Sequence, residues 1–296
     1  MIRMFLTGAS GFLGWNFCRL FAKEWEIFAC YNNHRVSIEN VLACRVDISD
    51  FAELKEAFTT IKPDIVLHTA AASQPNWCQE NPTASKKINL DATINLAGLC
   101  ADASIPFIFT STDLVFDGLN PPYNEKSSVS PLNLYAEQKT LAEEKIRASL
   151  NSYLICRMPL MFGYPGPAAN NFIQYFFNEM SKGEKLKLFS DEYRTPVSVL
   201  TACKGLKLMI GRFAGTIHLG GIERASRYEL GLLMKDVFGF KTALIEPCSH
   251  DDIPMPAKRP LDVSLDSSLA FSVGYDPLPL RKQMEEIENS KKFNHE

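Results

Sequence analysis

Three glycines spaced three apart, Gly8, Gly11 and Gly14, separate an apolar run at residues 4–7 from a stretch at 11–23. In that stretch Leu13, Phe17, Leu20 and Phe21 recur at helical spacing. A strand that passes at once into a helix through such glycines suits a dinucleotide pyrophosphate. It supplies a tight turn, a backbone without Cβ for close approach, and a helix N-terminus aimed at negative charge. Gly8, Ser10, Gly11, Phe12, Leu13 and Gly14 are therefore the candidate contacts. The order is Gly-x-x-Gly-x-x-Gly rather than the Gly-x-Gly-x-x-Gly of many dehydrogenases, and glycines alone would serve a purely structural turn equally well.

The rest of the chain repeats that rhythm. Strand-like runs at 27–31, 42–46, 64–69, 106–111 and 153–157 alternate with helical patterns at 51–61, 83–103 and 134–150. Alternation of this kind predicts an α/β fold with a parallel sheet covered on both faces, doubly wound in the Rossmann manner. After Arg157 the rhythm breaks into a Pro- and Gly-rich stretch, and 215–221 reads as one further sheet strand. Ser226 and Glu229 form a Ser-x-x-Glu capping box for a helix that Gly239 can end. The expected organisation is a cofactor domain of residues 1–157 and 197–222, with a smaller C-terminal substrate lobe of 158–196 and 223–296.

Composition removes several function classes. A formal charge of −3 over 296 residues supplies no global basic field for nucleic acid, and no apolar run reaches the length that spans a bilayer. The apolar start is too short for a signal peptide. Eight cysteines without a Cys-x-x-Cys pair read as reduced thiols, and the expected location is cytoplasmic. The histidines lack metal-ligand spacing, and Asp251-Asp252 and Glu285-Glu286 read as surface charge, so no metal site is assigned and Mg²⁺ stays an open question.

Two further patterns bear on chemistry. The second strand ends in Tyr31-Asn32-Asn33-His34-Arg35, with no acid between Glu26 and Glu39. An NAD site ordinarily places a carboxylate there for the ribose 2′-hydroxyl. Arg35, together with His34, instead suits a 2′-phosphate, which favours NADP(H), with NAD(H) as the second candidate and Asn33 as a further cofactor contact; the alternative is that Arg35 is a solvated loop charge. Tyr135 and Lys139 stand four apart on one helix face. An ammonium near a phenol stabilises the phenolate, so such a Tyr can deliver a proton. Thr112 follows a buried strand at the end where ligands bind in open α/β sheets, though a turn cap is an equally ordinary task for Thr.

With these residues in order, the chain resembles the extended short-chain dehydrogenase/reductases. The resemblance rests on Thr-Gly-x-x-Gly-x-x-Gly, Asp47-Ile48, His68-Thr69-Ala70-Ala71 and Tyr-x-x-x-Lys. The stretches Ser111–Gly118 and 131–135, with Arg259-Pro260 and Leu265-Asp266, are most similar to the dTDP-4-dehydrorhamnose reductases. That resemblance implies reduction of a 4-keto nucleotide sugar, as in dTDP-L-rhamnose biosynthesis. It implies Thr112, Tyr135 and Lys139 as the catalytic hydroxyl, proton donor and supporting lysine, with Tyr135 and Lys139 also against the cofactor. It further implies Asp47 and Ile48 at the adenine, Ala70 and Ala71 along the cofactor ribose, Arg157-Met158-Pro159 at the nicotinamide end, and Asn171 and Arg259 at the substrate. A nucleotide-sugar substrate and a homodimer are the expected partners. Residues 115–123 also resemble the regulatory β subunit of methionine adenosyltransferase, which implies a non-catalytic, cofactor-binding alternative. An epimerase or dehydratase on the same scaffold is a third reading, weakened because Leu114 stands where a dehydratase commonly carries an acid.

Overall fold

The computed structural model describes residues 1–169 and 172–292. Its N-terminal part alternates β1 (Arg3–Thr7), α1 (Phe12–Phe21), β2 (Glu26–Tyr31), β3 (Val41–Arg45), α2 (Phe51–Ile61) and β4 (Ile65–His68). It continues through α3 (Pro75–Glu80), α4 (Pro82–Lys86), α5 (Ala92–Ala103), β5 (Phe107–Thr112), α6 (Leu134–Ser149) and β6 (Tyr153–Met158). The remainder carries β7 (Met161–Phe162), α7 (Phe172–Lys182), β8 (Lys185–Phe189), β9 (Tyr193–Arg194), β10 (Val197–Ser198), α8 (Val199–Met209) and β11 (Gly215–His218). Last come β12 (Ala225–Ser226), α9 (Arg227–Val237), β13 (Leu244–Cys248), α10 (Ser268–Ser272) and α11 (Leu280–Lys292).

Seven strands form one sheet in the order β11-β6-β5-β4-β1-β2-β3, and every neighbouring pair is parallel. This is the expected doubly wound α/β fold. Strand order reverses between β1 and β4, so the crevice at their C-terminal ends is where such a sheet binds ligands. β4 and β5 are buried along their whole length, as strands covered on both faces must be. One apolar cluster, including Phe17, Leu67, Leu206 and Ile217, joins the sheet to α1 and α8. A second, including Phe5, Leu54, Leu96, Phe109 and Ile146, joins its other face to α2, α5 and α6. A third, with Phe176, Leu188, Leu230 and Met284, unites α7, β8, α9 and α11.

Local chemistry sets several boundaries. Asp50 caps α2 through the Ala52 and Glu53 amides, and Asn133 caps α6 through Ala136. The Ser226–Glu229 capping box forms as expected and starts α9. The single helix expected at 83–103 is interrupted by a π turn at Lys87–Asp91. There the Asn89 side chain bonds Ala72 and Gln138, while its carbonyl accepts from Thr93 Oγ1 at 2.9 Å. The side-chain network thus competes with the regular helical ladder. No described helix is long and apolar enough to cross a membrane.

Candidate active site

The glycine turn rests directly on the end of β4. Gly8 has φ +73°, and a Cβ there would stand 2.5 Å from the Ala70 amide nitrogen. A Cβ on Gly14 would meet the Gly8 carbonyl oxygen at 2.4 Å. Both positions are therefore glycine because the chain crowds itself. Gly11 is different: its Cβ would have only the Gly8 oxygen nearby, at 3.1 Å. Of the three glycines the fold makes its weakest demand there: the Gly11 amide is spent on the Gly8 carbonyl at 2.9 Å, but its Cα face stays uncovered towards the crevice.

That crevice is a cleft of about 1160 Å³. Gly8, Ser10, Gly11, Phe12, Leu13, Gly14, Asp47, Ile48, Ala70 and Ala71 line one part, and Thr112, Tyr135 and Lys139 line the middle. Arg259 lies further along, beside Arg194 and Arg227. Asn33 and Arg35 are exposed and lie outside this lining, where Tyr31 and Asn32 take their place. Asn171 lies outside the described residues, and its neighbour Phe172 lines the cleft. Met158 and Pro159 line it as well. Arg157 points away into a buried pairing with Glu143, at 3.1 Å and 2.8 Å. Trp77 is not part of the wall, whereas Pro75 and Asn76 are.

Thr112 ends β5 and accepts from the Leu114 amide at 3.2 Å, so it caps the short turn that follows. It also donates to Asp113 Oδ1 at 3.2 Å. Tyr135 is buried in the first turn of α6. The expected lowering of its phenol by Lys139 does not occur: burial and the nearby Asp113 and Cys78 push it well above the usual range, and only a hydrogen bond with Thr112 works the other way. Lys139, one turn on, is 2% exposed. Burial pulls its ammonium down to about 7, and Glu143 opposes the fall. Its Nζ sits 3.8 Å from the Phe109 ring centroid, a cation–π contact that offsets part of the lost hydration. Behind these groups Asn89, Gln138 and Ser85 form a closed polar network, with bonds of 2.8 Å and 2.9 Å. His68 is structural: it bridges Thr7 Oγ1 at 2.6 Å and Thr93 Oγ1 at 2.9 Å, outside the cleft lining.

The cleft wall next to Thr112 and Asp113 is strongly cationic. Arg194 pairs with the buried Asp113 at 3.5 Å, and Arg227 with the buried Glu192 at 3.3 Å. Burial raises the Asp113 carboxyl, against the pull of Arg194. Three guanidiniums thus face two carboxylates, and the Arg259 Nε is buried without a hydrogen-bond partner. Such a cluster attracts an anion. Sequence reasoning reached Arg259 but missed Arg194 and Arg227. For Arg227 a signal existed: a cation in the first turn of a helix opposes the macrodipole, which marks it for a task other than helix stability. Phe172, Tyr175, Phe176, Leu188, Ile253 and Met255 add an apolar wall beside the arginines.

Comparisons with known proteins agree with this architecture. The chain is 29% identical to methionine adenosyltransferase 2 subunit beta of Xenopus laevis over 281 residues, covering 92% of this chain and 82% of that one. It is also 29% identical to the probable low-salt glycan biosynthesis reductase Agl14 of Haloferax volcanii, covering 89% of each. A solved dTDP-4-dehydrorhamnose reductase from Clostridium acetobutylicum superposes with a TM-score of 0.85 at 25% identity, covering 98% of this chain and 100% of that one. The corresponding reductase from Bacillus anthracis, solved in complex with NADP, gives 0.84 at 21% identity over 98% and 99%, a likeness of fold. The profile of the RmlD substrate binding domain matches residues 2–291, and the chain belongs to that family.

Proposed function

We propose that the protein is an NADPH-dependent reductase of a 4-keto nucleotide sugar. The observation that carries this reading is that Thr112, Tyr135 and Lys139 line the same cleft as the glycine turn and an arginine cluster. In this reading residues 1–157 and 197–222 hold the cofactor, and 158–196 and 223–296 hold the sugar nucleotide. The residues fit a nicotinamide dinucleotide, since Gly11 presents an uncovered Cα face at the N-terminus of α1, where a phosphate can approach closely. When bound, the nicotinamide supplies the hydride that reduces C4. Thr112 orients the carbonyl, and Tyr135 gives its proton to the oxygen. Burial and Asp113 keep the Tyr135 phenol protonated, which suits a donor rather than a base. Lys139, pulled down to about 7, is divided between its charged and neutral forms near neutral pH. The arginines take the substrate's pyrophosphate and the aromatic wall its base.

No acid follows β2, which supports NADP(H) over NAD(H), with Arg35 as the candidate for the 2′-phosphate. NADPH should bind more tightly than NADH, and Arg35→Ala should narrow the gap by about 1–3 kcal/mol. Equal affinities in the unmutated protein would overturn this preference. The activity is tested by a panel of 4-keto nucleotide sugars with NADPH, followed at the nicotinamide absorbance. Turnover on one of them supports the reading. The second reading, a regulatory subunit, draws on the similarity to methionine adenosyltransferase 2 subunit beta. It is favoured if every sugar fails while the protein binds a methionine adenosyltransferase catalytic subunit tightly.

A further inference from the structure

Two cysteines on neighbouring strands stand sulfur to sulfur beside the cleft, and one of them, Cys30, lines it. Cys30 of β2 pairs in register with Cys44 of β3. Register partners in a parallel pair point to the same face, and adjacent strands lie about 4.8 Å apart. That spacing falls inside the Cα separations that a disulfide bridges. The two sulfurs are 2.9 Å apart. Cys44 is half-buried, whereas the other seven cysteines are buried.

We propose that Cys30 and Cys44 form an oxidisable dithiol, a modification site at which a peroxide closes a disulfide across the β2–β3 edge of the cleft. The electronic arrangement supports a division of labour. Cys44 is the more exposed of the two, and its hydrogen bond with Cys30 lowers its thiol, while burial holds Cys30 well above its ordinary value. Cys44 is therefore the sulfur that reacts first. Its thiolate attacks hydrogen peroxide: an S–O bond forms, the O–O bond breaks, and hydroxide leaves. Cys30 then gives up its proton and attacks the sulfenic sulfur: the S–S bond forms, the S–O bond breaks, and the second oxygen leaves as water. Two thiols lose two electrons, and one peroxide becomes two waters.

The bridge would act on the ligand wall directly. Cys30 lines the cleft with Tyr31 and Asn32 after it, and its carbonyl accepts from the Ala9 amide in the glycine turn at 3.1 Å. A covalent tie between β2 and β3 therefore reaches the turn through one hydrogen bond.

The test is peptide mapping of the unmutated, folded protein after treatment with hydrogen peroxide. The expected product is a Cys30–Cys44 linked peptide lighter by two hydrogens and reversed by dithiothreitol. Before oxidation, Cys44 should alkylate with iodoacetamide at least about 10-fold faster than Cys18, Cys100, Cys156 or Cys203. In Cys30→Ser, Cys44 should proceed to the sulfinic acid instead; Cys18→Ser should leave the link intact. The proposal is overturned if both thiols survive peroxide. It is equally overturned if unmutated Cys44 over-oxidises without a link, or if the disulfide joins other cysteines.

Discussion

Tyr135 and Lys139 show how burial divides the chemistry of two groups on one helix face. Burial raises the phenol and lowers the ammonium, so each is pushed towards its neutral form. Tyr135→Phe removes one oxygen and little volume, and its stability should change by no more than about 1 kcal/mol. The reduction rate should fall by roughly 10²–10⁴-fold with cofactor binding retained, the usual worth of a positioned acid. Full turnover by this variant would take Tyr135 out of the mechanism. Lys139 makes a separate prediction about stability. Its folded value of about 7 lies below the ordinary 10.5. Between those values the unfolded chain binds a proton that the native state releases, so stability rises with pH across that window. Lys139→Met should therefore gain about 1–3 kcal/mol near pH 7, flatten that rise and lose activity. Urea titrations at pH 7 and pH 10 check it, and an unchanged slope between them would contradict the burial argument.

At the scale of elements, the turn before α1 separates glycines that the fold needs, Gly8 and Gly14, from one that it crowds little, Gly11. Gly14→Ala forces the new methyl onto the Gly8 carbonyl and should cost about 1–3 kcal/mol. Gly11→Ala meets only one tight contact and should leave the melting temperature nearly unchanged while weakening dinucleotide binding. A calorimetric titration that finds Gly11→Ala binding like the parent would place the phosphates elsewhere. The alternation of strand and helix up to Met158 was legible because each element repeats its own period, and α2 keeps its expected bounds at Phe51 and Ile61. The π turn was not legible: it arises from Asn89 reaching Ala72 and Gln138, partners distant in sequence. Most of the substrate end was hidden for a similar reason. Arg194 acquires meaning only when the chain returns to set it beside Asp113, 81 positions earlier by number (194 − 113).

For the whole molecule, acid is the condition to which the sheet is most exposed. His68 is clamped between Thr7 and Thr93, and burial holds it neutral down to about 3. His218 is held down to about 4, by burial first and by Arg157 second. Below the ordinary value near 6.5 the unfolded chain takes up protons that the native state refuses, so stability falls as pH drops. The loss grows by about 1.4 kcal/mol per pH unit for each such group. His68→Gln should flatten the decline between pH 6 and pH 4 in a denaturant series. An identical decline would assign the acid sensitivity to other groups.

One seam joins the two ends of the cleft. Asn16 on α1 donates to the Tyr164 carbonyl at 3.1 Å, and the Gly166 backbone sits against the Trp15 indole. The segment that leads towards α7 is thus moored to the first helix of the sheet. A ligand that settles the N-terminus of α1 also settles the approach to the arginine end. For the proposed reductase the kinetic expectation is a compulsory order, with dinucleotide entering first and leaving last. A dead-end analogue of the keto sugar should then inhibit uncompetitively with respect to the reduced dinucleotide. A pattern of random entry would show that the mooring transmits nothing.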